Sequence, residues 1–168
     1  MRVNSVNDQG DAFEYWVFDI LRPYLDRLNS TPSNGNPDLY FTKGERNVLL
    51  ECKCFSYRRN DRTNHRPNYL ILRPSQINAL KRMKNSLNGQ NEIYIVVGIL
   101  FGGYDLLPVV IEFERALSKA KRWKDAKGRK YISMEVLVNE MTLRQWMSEM
   151  FGVKAEHIQY PEFRSYLR

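Results

Sequence analysis

Pro37-Asp38-Leu39-Tyr40-Phe41-Thr42-Lys43-Gly44-Glu45-Arg46-Asn47-Val48-Leu49-Leu50-Glu51-Cys52-Lys53-Cys54-Phe55 reads as two strands around one tight turn. The strands run from Asp38 to Thr42 and from Asn47 to Phe55, and Gly44 supplies the positive φ that a II′ turn needs. With Gly44 and Glu45 as the loop, Lys43 faces Arg46, Thr42 faces Asn47, and the register runs on to Asp38 opposite Glu51. Opposed residues on one sheet face have Cβ atoms roughly 4.5–5.5 Å apart. Two carboxylates so placed repel, and a bound divalent cation removes that repulsion, because hard cations prefer carboxylate oxygens. Lys53 lies two residues past Glu51 and points to the same face. Leu50, Cys52 and Cys54 point the other way and read as core.

A metal held by Asp38 and Glu51 lowers the pKa of a bound water and stabilises charge on a phosphate. Lys53 is placed to orient the attacking water or to neutralise developing negative charge. The trio therefore suits phosphodiester hydrolysis.

The flanking segments supply the rest of an α/β fold. From Asp11 onward, Phe13, Trp16, Val17, Ile20, Leu21, Tyr24, Leu25 and Leu28 recur at helical spacing, which predicts an amphipathic helix bent or ended near Pro23. Residues 29–37 read as a loop, residues 56–68 as a mobile polar and basic loop, and Tyr69 to Leu72 as a short strand. Ser75 is the expected cap of a helix that buries Ile77, Leu80, Met83 and Leu87, turns Lys81, Arg82 and Lys84 outward, and ends at Asn88-Gly89. Strands over 92–101 and 105–112 follow, then a basic helix from about Phe113 to Lys124 and a short strand around Tyr131 to Val136. A capping box of Thr142 and Gln145 opens the last helix, with Leu143, Trp146, Met147, Met150 and Phe151 facing inward.

Composition excludes several classes. The chain has 168 residues, is 43% hydrophobic and 27% charged, and so can bury a core rather than stay disordered. Two cysteines make no disulfide framework, which favours a reducing compartment. The N-terminus shows no charged flank followed by an apolar stretch, so no secretory leader is expected. The apolar run Ile93 to Ile111 is broken by Gly102-Gly103, Asp105 and Pro108 and reads as two strands rather than a membrane span.

The net charge is +7, and residues 115–130 carry all of it. Arg115, Lys119, Lys121, Arg122, Lys124, Lys127, Arg129 and Lys130 stand there against Asp125 alone, beside Trp123. A second basic run, Arg58, Arg59, Arg62 and Arg66, is offset only by Asp61. Clustered cations suit a polyphosphate partner, because each phosphate contact releases counterions.

Pro37-Asp38 followed by Glu51-Cys52-Lys53 resembles the PD-(D/E)xK nuclease motif. Gly10-x-x-x-Glu14 on the first helix resembles the opening of archaeal-type Holliday junction resolvases, and the resemblance covers about residues 8–112. It implies a restriction-endonuclease-like domain with a central mixed β-sheet flanked by helices, in which a helix glutamate, Glu14, joins Asp38 and Glu51 at the metal. Glu14, Asp38, Glu51, Lys53 and Gln76 are then the catalytic set, and Glu14, Asp38, Glu51 and Cys52 the metal-binding positions. Mg²⁺ is the implied cofactor, with Mn²⁺ substituting. The serine that the family places before the aspartate is matched by Ser33 or Ser30. Gln9 stands where the family often has a basic residue.

The implied activity is a metal-dependent, structure-selective DNA endonuclease that resolves four-way junctions. The alternatives are another PD-(D/E)xK endonuclease acting on duplex DNA (restriction-like, nicking or mismatch-repair) or a non-catalytic nucleic-acid-binding module. DNA is expected to run across Ser33, the loop with Arg58, Arg59, Arg62 and Arg66, and the segment with Lys121 and Arg122. A junction has two symmetry-related cut sites, so one site per chain implies a homodimer. The apolar excess at Trp16, Trp146, Met147, Met150 and Phe151 is available either to that dimer or to the monomer core. One nuclease domain over 1–168 is expected, with a core over about 8–151 and a C-terminal tail over 152–168. The expected location is the cytoplasm, nucleoid-associated or, for a virus-encoded protein, in the host cell, with no membrane partner.

Each residue also has an ordinary structural role to weigh. Asp11-x-x-Glu14 reads equally as a capping box, Asp38 as turn chemistry, Glu51 and Lys53 as a surface ion pair, and Gln76 as a helix-start residue satisfying a backbone donor. Cys52 and Cys54 with His65 or His157 lack zinc-site spacing. No phosphate-binding Gly-rich loop and no nucleophile–histidine pair is present.

Overall fold

The structure, a computed structural model, describes residues 6–30, 37–57, 68–86, 91–102, 105–122 and 127–167. Helix α1 spans Val6–Leu21 and is followed by a 3₁₀ turn, Arg22–Tyr24, that contains Pro23. Phe13, Trp16, Val17, Ile20 and Leu21 are all buried, as the 3.6-residue period requires. The helix starts earlier than expected, so Asp11 lies in its second turn and the Asp11-x-x-Glu14 capping box does not form.

Strand β1, Leu28–Ser30, occupies the start of what reads as a loop, and pairs antiparallel with β2, Leu39–Lys43. Its sequence is too short and too polar to announce a strand; only the exposed edge of β2 selects it. β2 pairs antiparallel with β3, Arg46–Tyr57, with Lys43 opposite Arg46 and Thr42 opposite Asn47, and Gly44 has φ +59°. That is the expected hairpin register. β3 then pairs parallel with β5, Asn91–Phe101, which pairs antiparallel with β6, Asp105–Glu112. Between β3 and β5 lie β4, Tyr69–Leu72, and helix α2, Pro74–Asn85.

Six further helices and strands follow along the chain. Helix α3 spans Phe113–Lys119, with the Glu112 side chain accepting the backbone N–H groups of Glu114 and Arg115. It is shorter than the expected helix to Lys124, because Lys121–Arg122 forms β7. β8, Lys130–Ser133, replaces the first half of the expected strand to Val136, and Met134–Leu137 turns into helix α4. β9, Met141–Thr142, leads into α5, Leu143–Phe151, which carries the expected Thr142–Gln145 capping box and ends at Gly152, φ +66°.

The strands form a six-stranded mixed sheet in the order β1-β2-β3-β5-β6-β9 and a separate three-stranded sheet, β4-β8-β7. Core residues alternate across the large sheet. Leu39, Phe41, Val48, Leu50, Val96 and Leu100 pack against α1 and α5, whereas Leu49, Ile93, Ile95, Val97 and Ile99 pack against α2 and the small sheet. Gly98 faces α1, and a Cβ built there would lie 2.6 Å from the Phe13 ring, so the close approach of helix and sheet requires glycine.

Trp16, Trp146, Met147 and Met150 are buried within the chain and Phe151 packs partly buried beside them, so the monomer core takes the apolar excess. The tail adds to that core. Ile158 and Phe163 are buried, the Trp16 indole N–H donates to the Pro161 carbonyl at 2.7 Å, and Tyr166 donates its hydroxyl proton to Asp19. No helix among the described residues is long and apolar enough to cross a membrane.

Candidate active site

The antiparallel pairing of β2 and β3 ends at Leu39 opposite Leu50. One step further along the same register brings Asp38 opposite Glu51. Alternation along β3 puts Glu51 and Lys53 on the face away from α1, and the Lys53 Nζ lies 3.2 Å from Glu51 Oε1. This is not the surface pair that adjacency in sequence suggests, because Glu51 is only 2% exposed. A charge buried so deeply needs a partner, and the Lys53 ammonium supplies it.

Asp38 is half-buried, and its Oδ2 accepts the backbone N–H of Cys52 at 2.8 Å. Burial raises its carboxyl pKa; the Cys52 N–H and the Lys53 charge oppose that rise. Burial likewise raises the pKa of Glu51, with the charge of Asp38 adding to it. Glu14, on the α1 face that approaches the same strands, is half-buried and its pKa is pushed up to about 7, first by burial and then by Asp38 and Asp11. Three carboxyl groups thus disfavour one another's ionisation at one end of the hairpin, with one ammonium to offset them.

The donor set fits a hard divalent cation. Mg²⁺ is usually held by one or two carboxylates together with water and substrate phosphates, and Asp38 and Glu51 form such a pair. Among the described residues no three His, Cys, Asp or Glu side chains form a ready-made cage. The Glu14 carboxylate and the Asp38–Glu51 pair act on one another through their charges. The Cys52 thiol alternates to the opposite face beside the α1 core, and burial pushes its pKa well up, so it stays protonated. Cys52 meets the site through its main chain. That backbone contact has no signature in the sequence, since any residue other than proline supplies the same N–H.

Gln76 lies in the first turn of α2 and its Oε1 accepts the backbone N–H of Arg73 at 3.2 Å. It performs the helix-start role that the sequence also allows. Arg73 occupies the N-cap position and Ser75 lies inside the helix, so the expected Ser75 cap is displaced by two residues. Ser56 donates to the Gln9 side chain at 3.2 Å, tying the start of α1 to the end of β3.

Lys121 and Arg122 are exposed on β7, whereas Arg115 is engaged by Glu140 at 3.0 Å. Ser33, Arg58, Arg59, Arg62 and Arg66, together with Trp123, lie outside the described residues. The Ser30 side chain lies outside them as well.

No family model matches the chain, and no curated protein matches it. Among solved structures it is similar to that of Hjc, a Holliday junction resolvase from the archaeal hyperthermophile Archaeoglobus fulgidus. The TM-score is 0.60 at 13% identity, over 86% of this chain and 97% of that one. The likeness establishes the fold, a mixed central sheet flanked by helices in the restriction-endonuclease-like arrangement.

Proposed function

We propose that this chain is a metal-dependent DNA endonuclease that resolves four-way junctions by phosphodiester hydrolysis and works as a homodimer. The observation that carries the reading is the convergence of Asp38, Glu51 and Lys53 on one face of a hairpin. A fold gains nothing from two half-buried and buried carboxylates facing one another, and a phosphate-bound cation gives the pair a purpose. The likeness to an archaeal Holliday junction resolvase supports the choice of substrate.

In this reading Asp38 and Glu51 hold Mg²⁺, with the main chain at Cys52 completing the candidate set and Glu14 adding its charge. The metal, when bound, supplies an activated water and neutralises phosphate charge. The chain's own contributions follow from the geometry. The Cys52 N–H fixes the orientation of the Asp38 carboxylate. The salt bridge to Glu51 fixes the Lys53 ammonium, which is then preorganised to meet an anionic oxygen without reorganising. Gln76 holds the first turn of α2 in place. Exposed Lys121 and Arg122 supply phosphate contacts that position the nucleic acid without reading its sequence.

The test is cleavage of labelled four-way junction and matched linear duplex, with Mg²⁺ or EDTA, beside Asp38→Ala. Symmetric, metal-dependent cuts confined to the junction and absent in the variant are expected. Cutting of both substrates would remove junction selectivity and leave a duplex endonuclease of the same chemistry. Binding without cutting under any metal would leave a nucleic-acid-binding module.

A further inference from the structure

We infer that the uncovered face of β2, with Asn29 of β1 beside it, is a subsite for an unstacked base, that of the nucleotide next to the phosphate that is cut. The face of the large sheet turned away from α1 is covered unevenly. On β5 it carries Ile93, Ile95 and Val97, all buried under α2 and the small sheet. On β3 it carries Leu49 and Glu51, still buried, and Lys53, half-buried. On β2 the cover ends. Tyr40 is 41% exposed and Thr42 is exposed, whereas Leu39 and Phe41, on the α1 side, are buried. β2 is an interior strand between β1 and β3, so this exposure marks an open face and not an open edge.

Glu51 and Lys53 lie where the cover stops, so a substrate reaches them over β2. Alternation puts Tyr40 and Thr42 on the face of Asp38. The register sets Asn29 and Leu49 on either side of Tyr40, and Asn47 beside Thr42. Two residues along a strand cover about 6.6 Å, so Tyr40 stands beside the metal position rather than on it. The polar groups around its ring are the amides of Asn29 and Asn47 and the hydroxyl of Thr42, and none is charged. Phosphates call for cations, whereas a ring flanked by amides and a hydroxyl suits the flat face and polar edges of a base. In intact duplex that base stays stacked on its neighbours. A branch point releases it, and the open face of β2 gives it a place to go.

The choice of a DNA base rests on the proposed function, whereas the open face rests on the sheet alone. The test therefore measures binding with metal chelated, using the full chain in EDTA. The probes are four-way junctions that carry 2-aminopurine, a reporter of stacking, at one branch-point nucleotide at a time. The wild type is expected to quench one of them, and cuts mapped with Mg²⁺ should fall on the phosphate beside it. Tyr40→Ala should abolish the quench and weaken junction binding at least about fivefold, while Mg²⁺ binds as before. Tyr40→Phe should restore quench and affinity, since the ring remains. With that nucleotide made abasic, the wild type and Tyr40→Ala should bind alike.

No quench by the wild type at any branch-point nucleotide, or a quench that a folded Tyr40→Ala keeps, would overturn the subsite. If Tyr40→Ala fails to fold, equal affinity of the wild type for abasic and intact junctions would do so. A quench away from the mapped cut would overturn its place beside the cleaved bond. A quench that depends on Tyr40, without cleavage under any metal, would count against the nuclease reading alone. Cleavage without the quench would remove the subsite alone.

Discussion

The Asp38 carboxylate accepts the Cys52 backbone N–H at 2.8 Å, so the residue that precedes β2 is oriented by the main chain of β3. It means that Asp38→Asn keeps an acceptor for Cys52 and removes only the charge. The variant should keep the fold and weaken Mg²⁺ at least about tenfold, equal to about 1.4 kcal/mol. Isothermal titration with Mg²⁺ or Mn²⁺ checks this, and unchanged affinity would remove Asp38 from the metal site.

Protons compete with the metal. The Glu14 carboxyl titrates at about 7, and Glu51 is raised as well, chiefly by burial. Lowering the pH from 8 to 6 should weaken Mg²⁺ by about tenfold for each participating carboxyl that titrates near 7. The metal-free protein follows the same linkage. A carboxyl raised by folding contributes stability that is present below its ordinary value, 4.5, and lost as pH rises through its folded value. Thermal unfolding should therefore show a Tm falling between pH 5 and pH 8 without metal, and a gain from Mg²⁺ that is larger at pH 8.

Lys53→Met removes the ammonium but keeps the stem. Glu51 escapes an unpaired buried charge by taking up a proton, so the stability cost at pH 7 should be modest, about 1–2 kcal/mol rather than the 3–5 typical of a broken buried pair. Cleavage should fall about 10²–10³-fold. A variant that loses activity only in proportion to its folded fraction would assign Lys53 a structural role.

Gly98→Ala tests the packing of α1 on the sheet. The added methyl would lie 2.6 Å from the Phe13 ring, which is fully buried, so one of them must shift. Overpacking of this kind costs about 1–3 kcal/mol, and a chain of this size should lose about 2–4 °C of Tm for each of those.

The tail is tested by Phe163→Ala. Its ring meets those of Phe13 and Trp16 edge-on, with centroids 6.4 and 6.2 Å away. The expected loss is about 3–5 kcal/mol by denaturant unfolding, where a surface tail would lose almost nothing.

Much of the hairpin and its site was legible because both are local. Gly44 sets the turn, the turn sets the register, and the period of two sets which side chains share a face, so Asp38, Glu51 and Lys53 could be brought together by counting. The buried stripe of α1 and the Thr142–Gln145 capping box were legible for the same reason. Element ends were less so. Ser75 looks like an N-cap, but β4 runs directly into α2 and gives the position to Arg73. The basic stretch from Phe113 has helical composition, but pairing with β8 draws Lys121 and Arg122 into a strand.

Local pattern alone specifies the hairpin, its register, the face that carries two carboxylates and an ammonium, and the amphipathic stripe of α1. Tertiary structure decided what depends on residues far apart in the chain. It pairs β3 with β5 in parallel, buries Glu51, turns the tail back onto Trp16, and assembles β4, β7 and β8 into one sheet. Local periodicity follows from bond geometry and neighbour sterics, whereas burial and long-range pairing follow from which surfaces remain to be covered once the local elements exist.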